Sequence, residues 1–439
     1  MRSQLLKLVR IIKSFRKLND LLRYNPVLYP RIAATIRTIE QTNAYNRYSA
    51  IRPLLSNALK NAQHTPYGKG KDRILDHWPI LQKAEVKANT SHFQTRQWLT
   101  VPAATSGSSG VPLQLKRSLK NIAAEQAFLD ALLSGSAPPL RQARTAVLRG
   151  NTVKDPADQQ PPFGVYQDES NLVLSLFHLN ERSAGWFISE LEKFRPEVLW
   201  VYPTGADFLA SQCLQRNVKL NIPIVLSSSE VLAPESWERL RKAFGGKIVD
   251  YYGQAERVCL SYQHQPNEAW FHPAYGFVEL FPDEAELGDG LRRAKIVATG
   301  YWNDKMPLVR YDTGDYAAYP AHYTDDDLLL VALGLKPFTR IIGREGDFIV
   351  TPGGERIQAL GQISSGVRHL RRVQFIQHQP EQVEVRLDVE PAFGETERRA
   401  LLKHARTKIP PSIKLTLVTD QPLEVTHSGK TPFVIRTNS

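Results

Sequence analysis

The chain has 439 residues, 42% of them apolar and 23% charged, with a formal net charge of +12. That length suffices for two or three domains with a sizeable buried core, and the composition excludes a disordered, collagen-like or membrane-embedded chain. No apolar run reaches bilayer length, and nucleic acid is not expected to be the partner for the positive charge, since no helix-turn-helix, zinc finger or aromatic-and-glycine RNA-binding signature is present. What remains is a nucleotide, coenzyme A, an acidic carrier protein or a lipid surface.

In chain order, the first element is a basic amphipathic stretch. Arg2, Lys7, Arg10, Lys13, Arg16 and Lys17 alternate with Leu5, Leu6, Leu8, Val9, Ile11, Ile12 and Phe15 at helical spacing. A helix packed on the domain with a solvated face is the plainer reading, and peripheral contact with a membrane or a partner is the alternative. The scattered basic residues break the apolar stretch that a secretory signal needs, so the cytoplasm is the expected location. Cys213 and Cys259 stand far apart and offer neither a disulfide framework nor a Cys-rich zinc site.

Residues 1–95 read as mostly helical. From about 120 to 340, helical patterns alternate with short apolar runs such as "TAVLRG" (145–150), "EVLWVY" (197–202), "IPIVLS" (222–227), "KIVDYY" (247–252) and "RAKIVATG" (293–300). Alternation of this kind predicts an α/β fold. "PESWERLRKAFGG" predicts a helix that starts at Pro234 and stops at Gly245. Beyond about Gly343 the character changes to a small α+β unit, with strands at "RRVQFIQHQ", "QVEVRLDVE" and "IKLTLVTD" and a helix at "ETERRALLKHARTKI". A domain boundary is therefore expected near Gly343.

One short loop stands out against this background. "TSGSSGVP" runs from Thr105 to Pro112, and Thr105, Ser106, Gly107, Ser108, Ser109 and Gly110 bear no bulk beyond small hydroxyls. Such a loop can converge its backbone N–H groups on an anion because few Cβ atoms block the approach. It lacks the Gly-Lys-Ser/Thr of a Walker loop, and taken alone it reads as a solvated turn.

Four later stretches shift that reading. "DYYGQAERV" ends an apolar run with Tyr252 and Gly253 and places Glu256 three residues on, an aromatic face for a purine beside a carboxylate for Mg2+. "RYDTGD" presents Asp315 after a glycine turn, where a carboxylate can accept from vicinal ribose hydroxyls. "GREGDFIV" supplies Arg344 at the expected boundary, and "HSGKTPFVI" sets Lys430 in a Ser-Gly loop. Each has an ordinary structural reading by itself; their order and spacing carry the functional one.

That ordered set resembles the adenylate-forming superfamily of acyl-CoA synthetases, luciferases and peptide-synthetase adenylation domains. Within it the chain is most similar to the phenylacetate–CoA ligase-like branch, including relatives from capsular-polysaccharide gene clusters. The resemblance runs from about residue 50 to the end and takes in "LKNAQHTPYGKG", "WPILQKAEVKAN", "FRPEVLWVYPTGADFLA", "SSSEVL" and, most specifically, "MPLVRYDTGD". It implies a large multi-layer α/β N-terminal AMP-binding domain (1–342) and a small mobile α+β C-terminal lid (343–439). It implies ATP-dependent activation of an organic carboxylic acid to an acyl adenylate with release of pyrophosphate, followed by transfer to the thiol of CoA or of a carrier protein.

Residue by residue, the resemblance assigns Thr105–Gly110 to the β- and γ-phosphates, Tyr252 to adenine stacking, and Ser229 and Glu230 to the nucleotide or acyl wall. Glu256 takes Mg2+, Asp315 the ribose hydroxyls, Arg344 the ribose or phosphate, and Lys430 the α-phosphate and carboxylate. Three positions depart from the pattern: Val111 replaces a lysine, Ala255 a threonine, and Gly346 an acidic or lysine hinge residue. Other outcomes stay open at this level. These are a nucleotidyltransferase, acyl transfer to an amine or sugar hydroxyl in surface-polysaccharide assembly, and a catalytically silent nucleotide-binding protein.

Overall fold

The computed structural model describes residues 19–96, 99–105, 113–151, 153–155, 158–288, 290–344, 348–352, 356–357, 360–364, 367–406, 409–425 and 431–437. The basic N-terminal stretch, Ser106–Gly110, Val111, Gly346 and Lys430 lie outside the described residues.

Helices α1 (Leu28–Gln41) and α2 (Ala44–Gln63) open the described chain. Ile32, Ile36 and Ile39 make one buried stripe of α1, and Ile51, Leu55, Ala58, Leu59 and Ala62 one of α2, the 3.6-residue period expected of helices lying on a core. The short helix α3 (Lys83–Ala88) starts at a capping box of Gln82 and Glu85. A hairpin of β1 (Val101–Ala104) and β2 (Gln114–Arg117) follows, then α4 (Leu119–Leu133), capped by the Ser118 hydroxyl accepting from the Asn121 N–H.

The main sheet comes next. Its strands are β3 (Thr145–Arg149), β4 (Gly164–Asp168), β5 (Asn171–Ser175), β6 (Val198–Val201), β7 (Ile222–Ser228), β8 (Gly245–Gly253), β9 (Leu260–Gln263) and β10 (Ala269–Phe271). They lie in the order β10-β9-β8-β7-β6-β3-β5-β4. The centre, from β5 to β8, is parallel, while β4 and β9–β10 close the edges antiparallel. Helices α5 (Ala184–Phe194), α6 (Pro203–Gln215) and α7 (Pro234–Phe244) alternate with the parallel strands, as a parallel sheet requires. Pro234 sits in the first turn of α7, and Gly245 ends it at φ 75°, the left-handed conformation glycine adopts without strain.

Both faces of this sheet are covered. Along β7, Ile222 and Val225 pack with Phe187, Leu209, Leu240 and Phe244 of α5–α7. Ile224 and Leu226 point the other way, onto Ile36, Leu55 and Phe128 of α1, α2 and α4. Burying each such side chain contributes about 1.5–3 kcal/mol, so the two helical layers hold the sheet between them.

The α/β alternation expected over 120–340 is narrower than that and ends at β8. From there β11 (Gly276–Gly288), β12 (Leu291–Gly300), β13 (Tyr311–Pro320) and β14 (Arg340–Arg344) form an antiparallel sheet in sequence order, with only α8 (Asp325–Ala332) intervening. In β12, Ala294, Ile296 and Ala298 share one buried cluster at every second position, the period of a strand, and from Ile296 to Gly300 the intervening positions are buried as well.

The remaining chain builds β15 (Ile349–Val350), β16 (Arg356–Ile357), β17 (Leu370–Gln379), β18 (Gln382–Val389), α9 (Glu395–Arg406), β19 (Lys414–Val418) and β20 (Val434–Arg436). The longer strands form a sheet in the order β19-β18-β17-β20. Their buried cluster, which includes Ile349, Phe375, Val385, Leu401 and Ile409, holds no residue before Ile349, and none of the other three clusters extends past Phe338. No helix among the described residues is long and apolar enough to cross a membrane.

Candidate active site

Of the expected residues, Ser229 and Glu230 follow β7, Tyr252 and Gly253 end β8 with Glu256 just beyond, and Asp315 lies in the first half of β13. Thr105 is buried at the end of the β1–β2 hairpin, where its hydroxyl accepts from the Leu113 N–H at 3.0 Å and its own N–H donates to the Leu113 carbonyl. The two ends of the glycine-serine loop are thus pinned to each other.

"RYDTGD" is shaped by its backbone. Arg310 at φ 48° and Gly314 at φ 72° bend the chain, and the Asp312 carboxylate accepts from the Gly314 N–H while the Thr313 hydroxyl accepts from the Asp315 N–H. That turn presents Asp315, largely buried, to Tyr252 at the end of β8, and the phenol donates to Asp315 Oδ2 at 2.6 Å. Burial, reinforced by the Asp315 charge, holds the Tyr252 phenol well above its usual pKa, so it remains a donor. Arg344 stands opposite Asp315 in the β13–β14 register; its side chain lies outside the described atoms.

Glu256 is buried and makes two contacts through Oε1. Tyr311 donates to it at 2.8 Å, and the Lys83 ammonium lies at 3.3 Å. Lys83 arrives there because "WPILQKAEVKAN" runs alongside "RYDTGD": the Leu81 N–H donates to the Arg310 carbonyl, and the Leu81 carbonyl accepts from Asp312. Burial pushes the Cys259 thiol up to about 12 against a lowering hydrogen bond from Gln254, with the Asp315 and Glu256 charges adding to the rise.

Ser229 takes φ 77° and its hydroxyl accepts from Arg149 at 2.9 Å. Glu230 bridges two parts of the chain. Its Oε2 accepts from the Thr204 N–H at the start of α6, and its Oε1 from the Thr431 N–H at 3.0 Å. Thr431 directly follows Lys430, so the described backbone enters the loop bearing Lys430 beside Glu230. Buried Gln374 on β17 clamps both sides of that loop: its amide donates to the carbonyls of Glu424 and Pro432, and its oxygen accepts from the Glu424 N–H.

A cavity of about 280 Å3 lies at the ends of β7 and β8 and against α4, with a lining that includes Ser229, Gly253, Gln254, Ala255, Ile122 and Glu125. A Cβ on Gly253 would meet nothing within 4 Å, so the glycine leaves the end of β8 open towards a ligand. Ala255, in place of threonine, offers its carbonyl to Arg117 at 2.9 Å.

Sequence reading did not single out Lys83, Tyr311, Gln374, Arg117 or Arg149. Lys83 and Tyr311 lie within quoted motifs, but their pairing with Glu256 joins residues far apart in the chain. Nothing in the local pattern marks Gln374.

Asp250, two residues before Tyr252, supplies a pH test of this strand. Burial pushes its carboxyl up to about 6, against an opposing hydrogen bond from Gln263. Since the folded pKa exceeds the unfolded one, the folded state holds the extra proton between about pH 4 and 6, and stability falls as pH rises through that window, by at most about 3 kcal/mol. Asp250→Asn is expected to gain on the parent protein from pH 4 to pH 7 in denaturant unfolding. An equal gap at both pH values would show that the carboxyl is not raised.

No family model matches the chain. Protein CapK of Staphylococcus aureus is 23% identical over 283 residues, which is 63% of this chain and 60% of CapK. Among solved structures, 2-hydroxyisobutyryl-CoA ligase in its postadenylation state with R3-HIB-AMP superposes with a TM-score of 0.57 at 14% identity, covering 90% of this chain and 91% of the other. The same ligase with 2-HIB-AMP gives 0.55 at the same identity and coverage. The chain therefore shares the fold of 2-hydroxyisobutyryl-CoA ligase over nine-tenths of its length, in agreement with the fold implied by the resemblance read from its motifs.

Proposed function

We propose that the protein activates an organic carboxylic acid with ATP, forming an acyl adenylate and pyrophosphate, and passes the acyl group to the thiol of CoA or of a carrier protein. The observation that carries this reading is that Tyr252 at the end of β8 donates to Asp315, while Glu230, just past the neighbouring strand β7, accepts from Thr431 at the described edge of the Lys430 loop. Fold similarity to 2-hydroxyisobutyryl-CoA ligase supports it.

In this reading Asp315 accepts from the ribose hydroxyls and Tyr252 sets the adenine edge of the site. Thr105 and the loop Ser106–Gly110 hold the β- and γ-phosphates, with Arg344 on the ribose or phosphate side. The acid needs no general base, because its carboxylate is already ionised at neutral pH. The difficulty is bringing two anions together, and Lys430 offsets that repulsion at the α-phosphate. A boundary near Gly343, with the small unit beyond it as the lid and Gly346 as its hinge residue, fits the separate buried cluster that begins at Ile349. Closure of the lid then completes the site only around bound substrate.

The donor set suits Mg2+. No cluster of three His, Cys, Asp or Glu side chains able to hold a metal occurs among the described residues, and Mg2+ is commonly held by one carboxylate together with substrate phosphates. Among the described residues, Tyr311 and Lys83 both approach Glu256 through Oε1, and Oε2 would hold the cation. Bound there, the metal would neutralise charge on the polyphosphate.

The test is acid-dependent ATP–pyrophosphate exchange across aryl, fatty, hydroxy and amino acids. Exchange with at least one class is the expected result. Absence of exchange with every acid, in protein that binds ATP, would overturn the reading.

A further inference from the structure

The cavity beside Ser229 and Gly253 is lined by cations on a scale that a simple hydrocarbon acid does not require. Arg117, Arg149, Arg257 and Arg23 all face it, and the carboxylate among its lining residues is Glu125. Glu125 is already engaged: it lies 3.3 Å from Arg257 Nε and accepts from the Tyr275 hydroxyl at 2.5 Å. Arg257 also donates to the carbonyl and side chain of Asn121.

The other two arginines of the inner wall are incompletely satisfied. Arg117 gives one hydrogen bond, to the Ala255 carbonyl, and Arg149 gives one, to the Ser229 hydroxyl. The Nε of each is buried with no hydrogen-bond partner among the described residues. Arg149 lies over the rings of Trp200 and Tyr202, with its Cζ 5.0 and 4.7 Å from their centroids, contacts that restrain its fork before any ligand arrives. Burial, then the neighbouring Arg257 charge, lower the Arg117 pKa to about 10. Buried like charges with unmet donors are costly unless an anion completes them.

Resting on the adenylation reading above, we propose that this cavity is the acyl pocket and that the acid activated here carries a second anionic group, a carboxylate, phosphate or sulfate, held by Arg117 and Arg149. The carboxylate to be adenylated then lies towards Glu230 and the Lys430 loop, and the second anion lies between the two arginines. A planar guanidinium fork suits such oxyanions better than a lysine would.

The experiment compares succinate and 3-phosphonopropionate with butyrate and benzoate in ATP–pyrophosphate exchange, on the parent protein and on Arg149→Gln and Arg149→Lys. The expected result is a kcat/KM at least about a hundredfold higher for one of the acids with two anionic groups than for butyrate and benzoate, which carry one. Arg149→Gln should raise KM for that acid by about tenfold or more, Arg149→Lys should restore part of it, and KM for ATP should stay within about twofold. Three outcomes overturn the proposal. Preference for butyrate or benzoate in the parent protein does so while leaving adenylation intact, and it needs no variant to fold. An Arg149→Gln effect on KM for ATP rather than for the acid would assign the arginines to the nucleotide phosphates. Exchange with no acid at all, neither these four nor any of the wider panel, would remove both this inference and the adenylation reading beneath it.

Discussion

Lys430→Ala is expected to reduce acid-dependent ATP–pyrophosphate exchange by about a hundredfold or more while leaving ATP affinity within about threefold. The asymmetry follows from where the charge acts. A carboxylate attacking the α-phosphate gathers negative charge on the phosphoryl oxygens only as the bond forms, so an ammonium placed there stabilises the transition state more than bound ATP. The described structure gives this prediction a location: the Thr431 N–H donates to Glu230 Oε1, and Glu230 in turn accepts from the first turn of α6. Gln374 then holds Glu424 and Pro432 on either side of the loop. Equilibrium ATP binding measured beside exchange separates the two effects. Equal loss of both would contradict a role for Lys430 confined to the chemical step.

Glu256→Gln is expected to lower exchange by a similar factor, about a hundredfold, and to move the Mg2+ concentration needed for half-maximal rate upwards. The carboxylate is buried with Tyr311 and Lys83 on one oxygen, so the amide would keep the packing and lose the charge. Lys83→Met is the control. If Glu256 served only as the partner of Lys83, the two substitutions would cost alike and neither would change the Mg2+ dependence. If Glu256 holds the metal, only its own substitution shifts that dependence.

The clusters explain why the elements were easier to read than their assembly. The helix at Pro234–Phe244 and the strands at Ile222–Ser228 and Leu370–Gln379 declare themselves locally, through a period of apolar residues and a proline or glycine at an end. The antiparallel sheet from Gly276 to Arg344 is less legible, because a short apolar run reads alike in a parallel and an antiparallel sheet, and the pairing of β13 with β14 spans α8.

The sequence by itself determined the α/β character of the middle of the chain, the small α+β unit at its end, and the types and order of the polar residues now gathered near Asp315. Those are local properties, set by side-chain period, turn chemistry and the spacing within motifs. Only the tertiary structure decided that Tyr252 donates to Asp315, that Lys83 reaches Glu256, that Gln374 clamps the Lys430 loop, and that arginines from separate elements face one cavity. Each of these joins residues distant in sequence through packing of the sheets and helices between them, and no local pattern encodes such a distance.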